Sequence, residues 1–135
     1  MADIKIVYGS ESVLYSTDAY GGSDADVGSS EVFTGDVDLE TNGYQGALLV
    51  VKGTFVASPT DDLEIRVYGS LDGNYNGNEN PVLAYTLEKV DGGENIMQTV
   101  PIFTVPHFRV GLKSSGTTDT IDAKVTVKPF YYQSV

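Results

Sequence analysis

Gln45-Gly46-Ala47-Leu48-Leu49-Val50-Val51-Lys52-Gly53-Thr54-Phe55, followed after a turn by Leu63-Glu64-Ile65-Arg66-Val67-Tyr68, decides the fold class. The first run holds the densest apolar stretch of the chain, and a central strand covered on both faces in a packed sandwich needs such a run. The second alternates: Leu63, Ile65 and Val67 fall on one face and Glu64, Arg66 and Tyr68 on the other, the period of a half-buried strand. Ser58-Pro59-Thr60-Asp61-Asp62 between them reads as a turn, with Pro59 setting φ and the Asp side chains bonding nearby backbone.

The same grammar continues toward higher numbers. Leu71 to Asn80 is a polar loop, Val82 to Leu87 a strand, and Asp91-Gly92-Gly93 a turn. Ile96 to Thr104 is the next strand, and Pro101 within it fits an edge or a bulge better than a central position. Phe108, Val110 and Leu112 alternate with His107, Arg109, Gly111 and Lys113; Ser114 to Thr118 turns the chain, and Thr120 to Lys128 makes the last strand. Toward lower numbers, Val32-Phe33-Thr34 leads to Val37 and Leu39, which alternate with Asp36, Asp38 and Glu40 before the turn dipeptide Asn42-Gly43. Residues 3–8 read as a short strand, which Val13-Leu14-Tyr15 extends or follows. No segment has a capped helical period. Short strands with turns every ten residues or so predict an all-β antiparallel β-sandwich, jelly-roll or immunoglobulin-like, of about eight strands.

Ser16 to Ser30 is rich in Ser, Gly, Asp and Ala, with Tyr20 its large side chain. Such a stretch buries too little apolar surface to offset its ordering entropy. The expected organisation is therefore an N-terminal strand and flexible acidic arm over residues 1–30, and a sandwich domain over residues 31–135.

Composition narrows the function. The chain has 135 residues, 41% of them apolar, which suits one globular domain. It has no apolar run of membrane-spanning length, and its start lacks the basic patch and apolar stretch of a secretory signal; no membrane partner is expected. The absence of cysteine removes disulfides and thiolate metal sites. The net charge of −11, with eight Lys and Arg in all, argues against a grip on nucleic acid. Nine acids and one lysine fall within residues 1–40. Solubility explains such a surface, and so does a partner with a basic face or a divalent cation.

Catalytic and metal signals are weak, and the chain is read as non-enzymatic, with no catalytic residue, cofactor or metal. Asp72-Gly73-Asn74-Tyr75-Asn76-Gly77 matches the first half of an EF-hand calcium loop, but the bidentate Glu position is Leu83 and Pro81 obstructs an exiting helix. An Asn- and Gly-rich hairpin loop explains the same residues; backbone carbonyls and Glu79 are the remaining route to weak calcium binding. The single histidine, His107, lacks converging metal ligands and a nucleophile, so a structural role is preferred. Asp61, Asp62 and Glu64 raise paired-carboxylate chemistry, yet Asp61 reads as turn chemistry and the other two share a wet strand face. Nine tyrosines without a tryptophan are a weak carbohydrate signal and read more simply as sheet packing. Pro129-Phe130-Tyr131-Tyr132 either covers an open end of the core or offers an apolar patch to a partner.

Residues 43–130 resemble small virion proteins encoded among the structural genes of tailed phages. The resemblance lies in Thr60-Asp61-Asp62-Leu63-Glu64-Ile65 leading to Val67-Tyr68-Gly69-Ser70-Leu71-Asp72-Gly73, in Pro81, in Phe108 to Gly116, and in Thr118-Asp119-Thr120-Ile121. It is a pattern of strands and turns. It implies a β-sandwich cement, decoration or tail-associated component, a dimer or trimer made in the host cytoplasm and carried in the virion. Its partners would be the major capsid protein or other virion proteins. The contact residues expected on this reading are Ile4, Ile6, Tyr8, Tyr15, Tyr20, Phe130, Tyr131 and Tyr132. The alternative is a carbohydrate- or receptor-binding module of a tail or fibre, using a patch around Tyr75, Asn76 and Asn78.

Overall fold

The computed structural model describes residues 3–76, 81–103 and 105–135, and of residues 99–101 and 103 the backbone alone. Gly77, Asn78 and Glu79, named above for calcium or glycan contact, and Thr104 lie outside the described residues.

Two antiparallel sheets face each other. The first runs β1 (Ile4–Tyr8), β10 (Asp122–Ser134), β5 (Gly46–Thr54), β8 (Glu94–Phe103), with β2 (Ser12–Ser16) also paired to β10. The second runs β3 (Val32–Phe33), β9 (His107–Ser114), β6 (Leu63–Ser70), β7 (Leu83–Leu87), with β4 (Val37–Asp38) also paired to β9. Among the described residues the chain is all-β apart from a single 3-10 turn at Asp18–Tyr20. The ten strands among the described residues exceed the expected eight because two long strands, β9 and β10, each take two short partners end to end along one edge.

Alternation produces the layers. On β5, Ala47, Leu49 and Val51 are buried; on β10, Val125 opposite Val51, Val127 opposite Leu49 and Ala123 opposite Gly53 are buried too. Leu63, Ile65 and Val67 on β6, and Phe108, Val110 and Leu112 on β9, close the core from the other sheet. Among the described residues β8 pairs with β5 alone, the edge position that Pro101 led one to expect; Pro101 itself is in register with Leu48, and the strand's bulge lies opposite Val50. β5 is central, but its outward side chains Leu48 and Val50 are only half-buried, so that face is not covered by a further layer.

The boundary drawn at residue 30 is corrected. β1 and β2 are integral to the first sheet. Val27, within the stretch read as an arm, is fully buried and forms an antiparallel bridge with Ile121. Tyr15 is buried, its hydroxyl donating to the Ala25 carbonyl, and Thr17 Oγ1 donates to Asp122 Oδ1 at 2.7 Å. Sparse large side chains were the reason for expecting mobility. Val27 nevertheless anchors the segment against Ile121, just before β10, and Thr17 ties its start to the backbone of Ala123 on β10.

A reciprocal knot closes one end of the sandwich. Asp61 Oδ2 accepts from the Asp119 N–H (2.8 Å), the Thr118 N–H (3.0 Å) and Ser114 Oγ (2.9 Å). Asp119 Oδ2 in turn accepts from the Thr60 and Asp61 N–H groups at 2.7 and 2.9 Å. The β5–β6 turn is thereby bolted to the β9–β10 turn, the turn chemistry expected of Asp61. The Asp119 N–H foremost, with Ser114 and Thr118, holds the Asp61 carboxyl below its ordinary range, against the opposing effect of burial.

Removing residues 1–27 is expected to lower the urea midpoint sharply, since burying Val27 alone is worth about 2 kcal/mol and β10 would lose its partners along one edge. An unchanged midpoint would contradict the redrawn boundary. Because the folded Asp61 has the depressed pKa, its contribution is present above about pH 4 and is lost as pH falls through the folded value. The melting temperature of Asp61→Asn should thus lie below wild type at neutral pH, and the gap should close in acid; a gap constant with pH would refute that.

Candidate interaction face

The outer face of the first sheet is assembled by register. Ile6 lies opposite Tyr132 and Tyr8 opposite Phe130; Phe130 is in turn opposite Gly46. Successive outward positions on β10 are therefore Asp122, Lys124, Thr126, Lys128, Phe130 and Tyr132, and on β5 Gly46, Leu48, Val50, Lys52 and Thr54. Gly46 is required here: a Cβ at that position would meet the Phe130 ring at 2.6 Å. Phe130 fills the space so left and is 3% exposed, with Tyr8 and Tyr132 edge-on to it at 6.3 and 5.8 Å between ring centroids. Around this anchor stand Ile4 (69% exposed), Ile6 (48%), Tyr8 (47%) and Tyr132 (44%). Val13, opposite Thr126, and Ile96, opposite Lys52, are exposed on the same face.

Of the eight expected contact residues, the structure thus brings Ile4, Ile6, Tyr8, Phe130 and Tyr132 onto one surface, Phe130 as its support. Tyr15 is corrected to the core, because its position on β2 points inward. Tyr20 is half-buried, its hydroxyl 2.6 Å from Thr54 Oγ1 and donating to Glu94 at 2.8 Å; burial, foremost, pushes its pKa up to about 12. Tyr131 turns to the opposite face of β10 and packs against Tyr44, 6.2 Å between centroids.

Chemistry-bearing groups lie elsewhere. His107 Nδ1 is 2.8 Å from Asp36 Oδ2, and Nε2 faces Asp38 at 3.8 Å and Glu40 at 3.9 Å. The hydrogen bond to Asp36, followed by the charges of Asp36, Asp38 and Glu40, raises the imidazole pKa although burial opposes it. The histidine pins the β3–β4 segment to β9. A cleft of about 440 Å³ opens beside it, floored by Leu14, Leu39 and Val127 and rimmed by Asp36 and Asp38. Asp18, Asp26 and Asp122 bring carboxylate oxygens within 4.8 Å of one another, the one such group among the described residues. Asp26 is raised chiefly by its hydrogen bond with Asp122. Sequence reading missed this triad, whose members sit far apart along the chain.

The Asp72 carboxylate is occupied by the Asn74 N–H and side-chain amide, both at 3.0 Å, and by Ser70 at 3.2 Å, the pattern of a local turn. Tyr75, central to the glycan alternative, lies against the Arg109 guanidinium (4.5 Å to the ring centroid) and donates to Asp36 at 2.7 Å. Phe33 covers the guanidinium at 3.9 Å from ring centroid to carbon. One face of Tyr75 is therefore taken by an intramolecular stack.

No protein-family model matches the chain, and no curated protein matches it. Among solved structures, it is similar to the crystal structure of dimeric latent PorU from Porphyromonas gingivalis, at 11% identity and a TM-score of 0.49. That similarity covers 96% of this chain and 13% of that one.

A raised folded pKa means that His107 stabilises fully below its unfolded value near 6.5 and loses that contribution as pH rises through the folded value. NMR titration should place the imidazole above 6.5, and Asp36→Asn should move it down. A wild-type value at or below 6.5 would show that the carboxylates do not govern it.

Proposed function

We propose that this protein is a non-enzymatic assembly module: a virion structural protein of the cement or decoration type, which binds a capsid shell through the outer face of its first sheet. The observation that carries the reading is the exposed apolar strip of Ile4, Ile6, Tyr8 and Tyr132 held up by the buried ring of Phe130. Isolated apolar residues on a surface need no explanation, but a contiguous strip on a chain of net charge −11 is the usual mark of a protein contact. Aromatic residues with a rigid backing are the side chains that carry energy in such contacts. The resemblance of residues 43–130 to small tailed-phage virion proteins supplies the kind of partner, and assembly as a dimer or trimer on a lattice belongs to the same reading.

The test is co-sedimentation of purified protein with capsids that lack it, together with its native mass in solution. Saturable binding at fixed stoichiometry is expected. Ile6→Asp and Tyr132→Asp should each weaken it about 30-fold, the scale of a central contact residue. Ile6 is on a short edge strand and exposed, so its variant keeps the core intact. Failure of the wild-type protein to bind would remove this function, and binding indifferent to both variants would move the contact to another face.

A further inference from the structure

The face that carries the apolar strip also carries an unusual distribution of charge. Lys52 and Lys124 are directly opposite each other on β5 and β10, and Lys128 stands two outward positions further along β10. Directly opposed residues in a sheet bring their Cβ atoms to about 5 Å, and like charges there are destabilising. Among the described residues no carboxylate lies within ion-pair distance of Lys52, Lys124 or Lys128, in a chain with 19 acids. Arg66, Lys89 and His107 are paired, while Lys5, Arg109 and Lys113 also form no ion pair among the described residues; what sets Lys52, Lys124 and Lys128 apart is that they share one sheet face. Lys128 lies over the Tyr8 ring at 5.3 Å and so joins the charged part of the face to the apolar strip. From Lys52 to Tyr132 the outward positions of β5 and β10 hold no acid; the acids of this face, Asp122 and Glu94, border the lysine pair on its other side, one outward position beyond Lys124 and beyond Ile96, the residue opposite Lys52.

We propose, resting on the assembly reading above, that the surface docked here is a carboxylate-rich protein surface. Its acidic side chains meet Lys52, Lys124 and Lys128, and its apolar side chains meet the strip around Tyr8 and Tyr132. A protein of net charge −11 is repelled by an acidic partner in nearly every orientation. One face with three lysines held in no ion pair offsets that repulsion in a single orientation, so the same charges that bring the partner in also set the register of the contact. The partner's carboxylates would relieve the Lys52–Lys124 repulsion, which no ion pair among the described residues relieves in the free protein. A nucleic acid fits less well: three lysines are few for a phosphate track, and the adjoining apolar strip has no counterpart on a phosphate backbone.

The test has two arms. In the first, the peptide Glu-Leu-Glu-Tyr-Glu-Leu-Glu is titrated into 15N-labelled protein, with a single-stranded DNA 12-mer as the comparison. Amide shifts are expected over residues 50–54 and 122–132 with the peptide, weakening as salt rises, and are expected to shrink at least tenfold in the double variant Lys52→Glu/Lys124→Glu. Lys89→Glu/Lys113→Glu makes the same change of net charge elsewhere and should respond like wild type. No shifts on this face, equal shifts in the two double variants, or a tighter response to DNA would each overturn the inference. In the second arm, the same variants are sedimented with capsids. Loss of binding in Lys52→Glu/Lys124→Glu alone supports the inference, and retained binding overturns it. A positive peptide arm with no capsid binding by wild type would sink the virion reading and leave the acidic partner standing.

Discussion

The first sheet depends on the backbone of one strand. β10 pairs with β5 from Asp122 to Phe130 along one edge, and along the other it takes β2 at Lys124 to Val127 and then β1 from Phe130 to Ser134. Pro129 sits where the second edge changes partner. Its carbonyl accepts from the Gly9 N–H at 2.8 Å, so the N–H that proline lacks would have pointed to that same edge, into the gap between β2 and β1. The ladder to β5 therefore loses nothing at a residue that would interrupt a central strand elsewhere. Without β10, the Thr17 N–H has no Ala123 carbonyl to donate to, and Ile6 has no Tyr132 beside it.

The second sheet repeats this arrangement with less chain. β9 pairs with β6 over its whole length, while its other edge holds β4 at His107 and Phe108 and β3 at Gly111 and Leu112. Two-residue strands have few backbone bonds, and side chains make up the difference. His107 gathers Asp36, Asp38 and Glu40, and the Glu31 carboxylate receives the Tyr68 hydroxyl at 2.8 Å. The acids of residues 31–40, which as composition look like bulk surface charge, are thus partly local fasteners.

The fold class was legible because it rests on alternation, and Leu63 to Tyr68 or Phe108 to Leu112 state that alternation without ambiguity. The placing of Asp61 as turn chemistry and of Pro101 on an edge strand followed from local stereochemistry in the same way. What escaped was everything set by pairing between distant segments. Residues 16–30 have the composition of an arm, and it is pairing with distant backbone, Thr17 with β10 and Val27 with Ile121 just before it, that makes them buried contacts. Tyr15 and Tyr132 look alike in sequence, yet strand parity sends one into the core and the other to the surface. The lysine pair is invisible for the same reason: Lys52 and Lys124 are neighbours only through the β5–β10 register.

That dependence on register ties the interaction face to completion of the fold. β6 and β7 are the one consecutive pair of strands that hydrogen-bond to each other among the described residues; every other pairing joins segments that are not consecutive. Non-local pairing of this kind carries its loop-closure cost before its contacts form, and it slows folding. The apolar strip needs β1 against the final third of β10, and the opposed lysines need β10 against β5. A partly folded chain holds neither element of the face in register. It can expose the same apolar side chains, but it cannot set them beside the ordered cations. The geometry that recognises a partner is therefore a property of the finished sandwich, and a partner selecting for both elements would discriminate against unfolded copies of this chain.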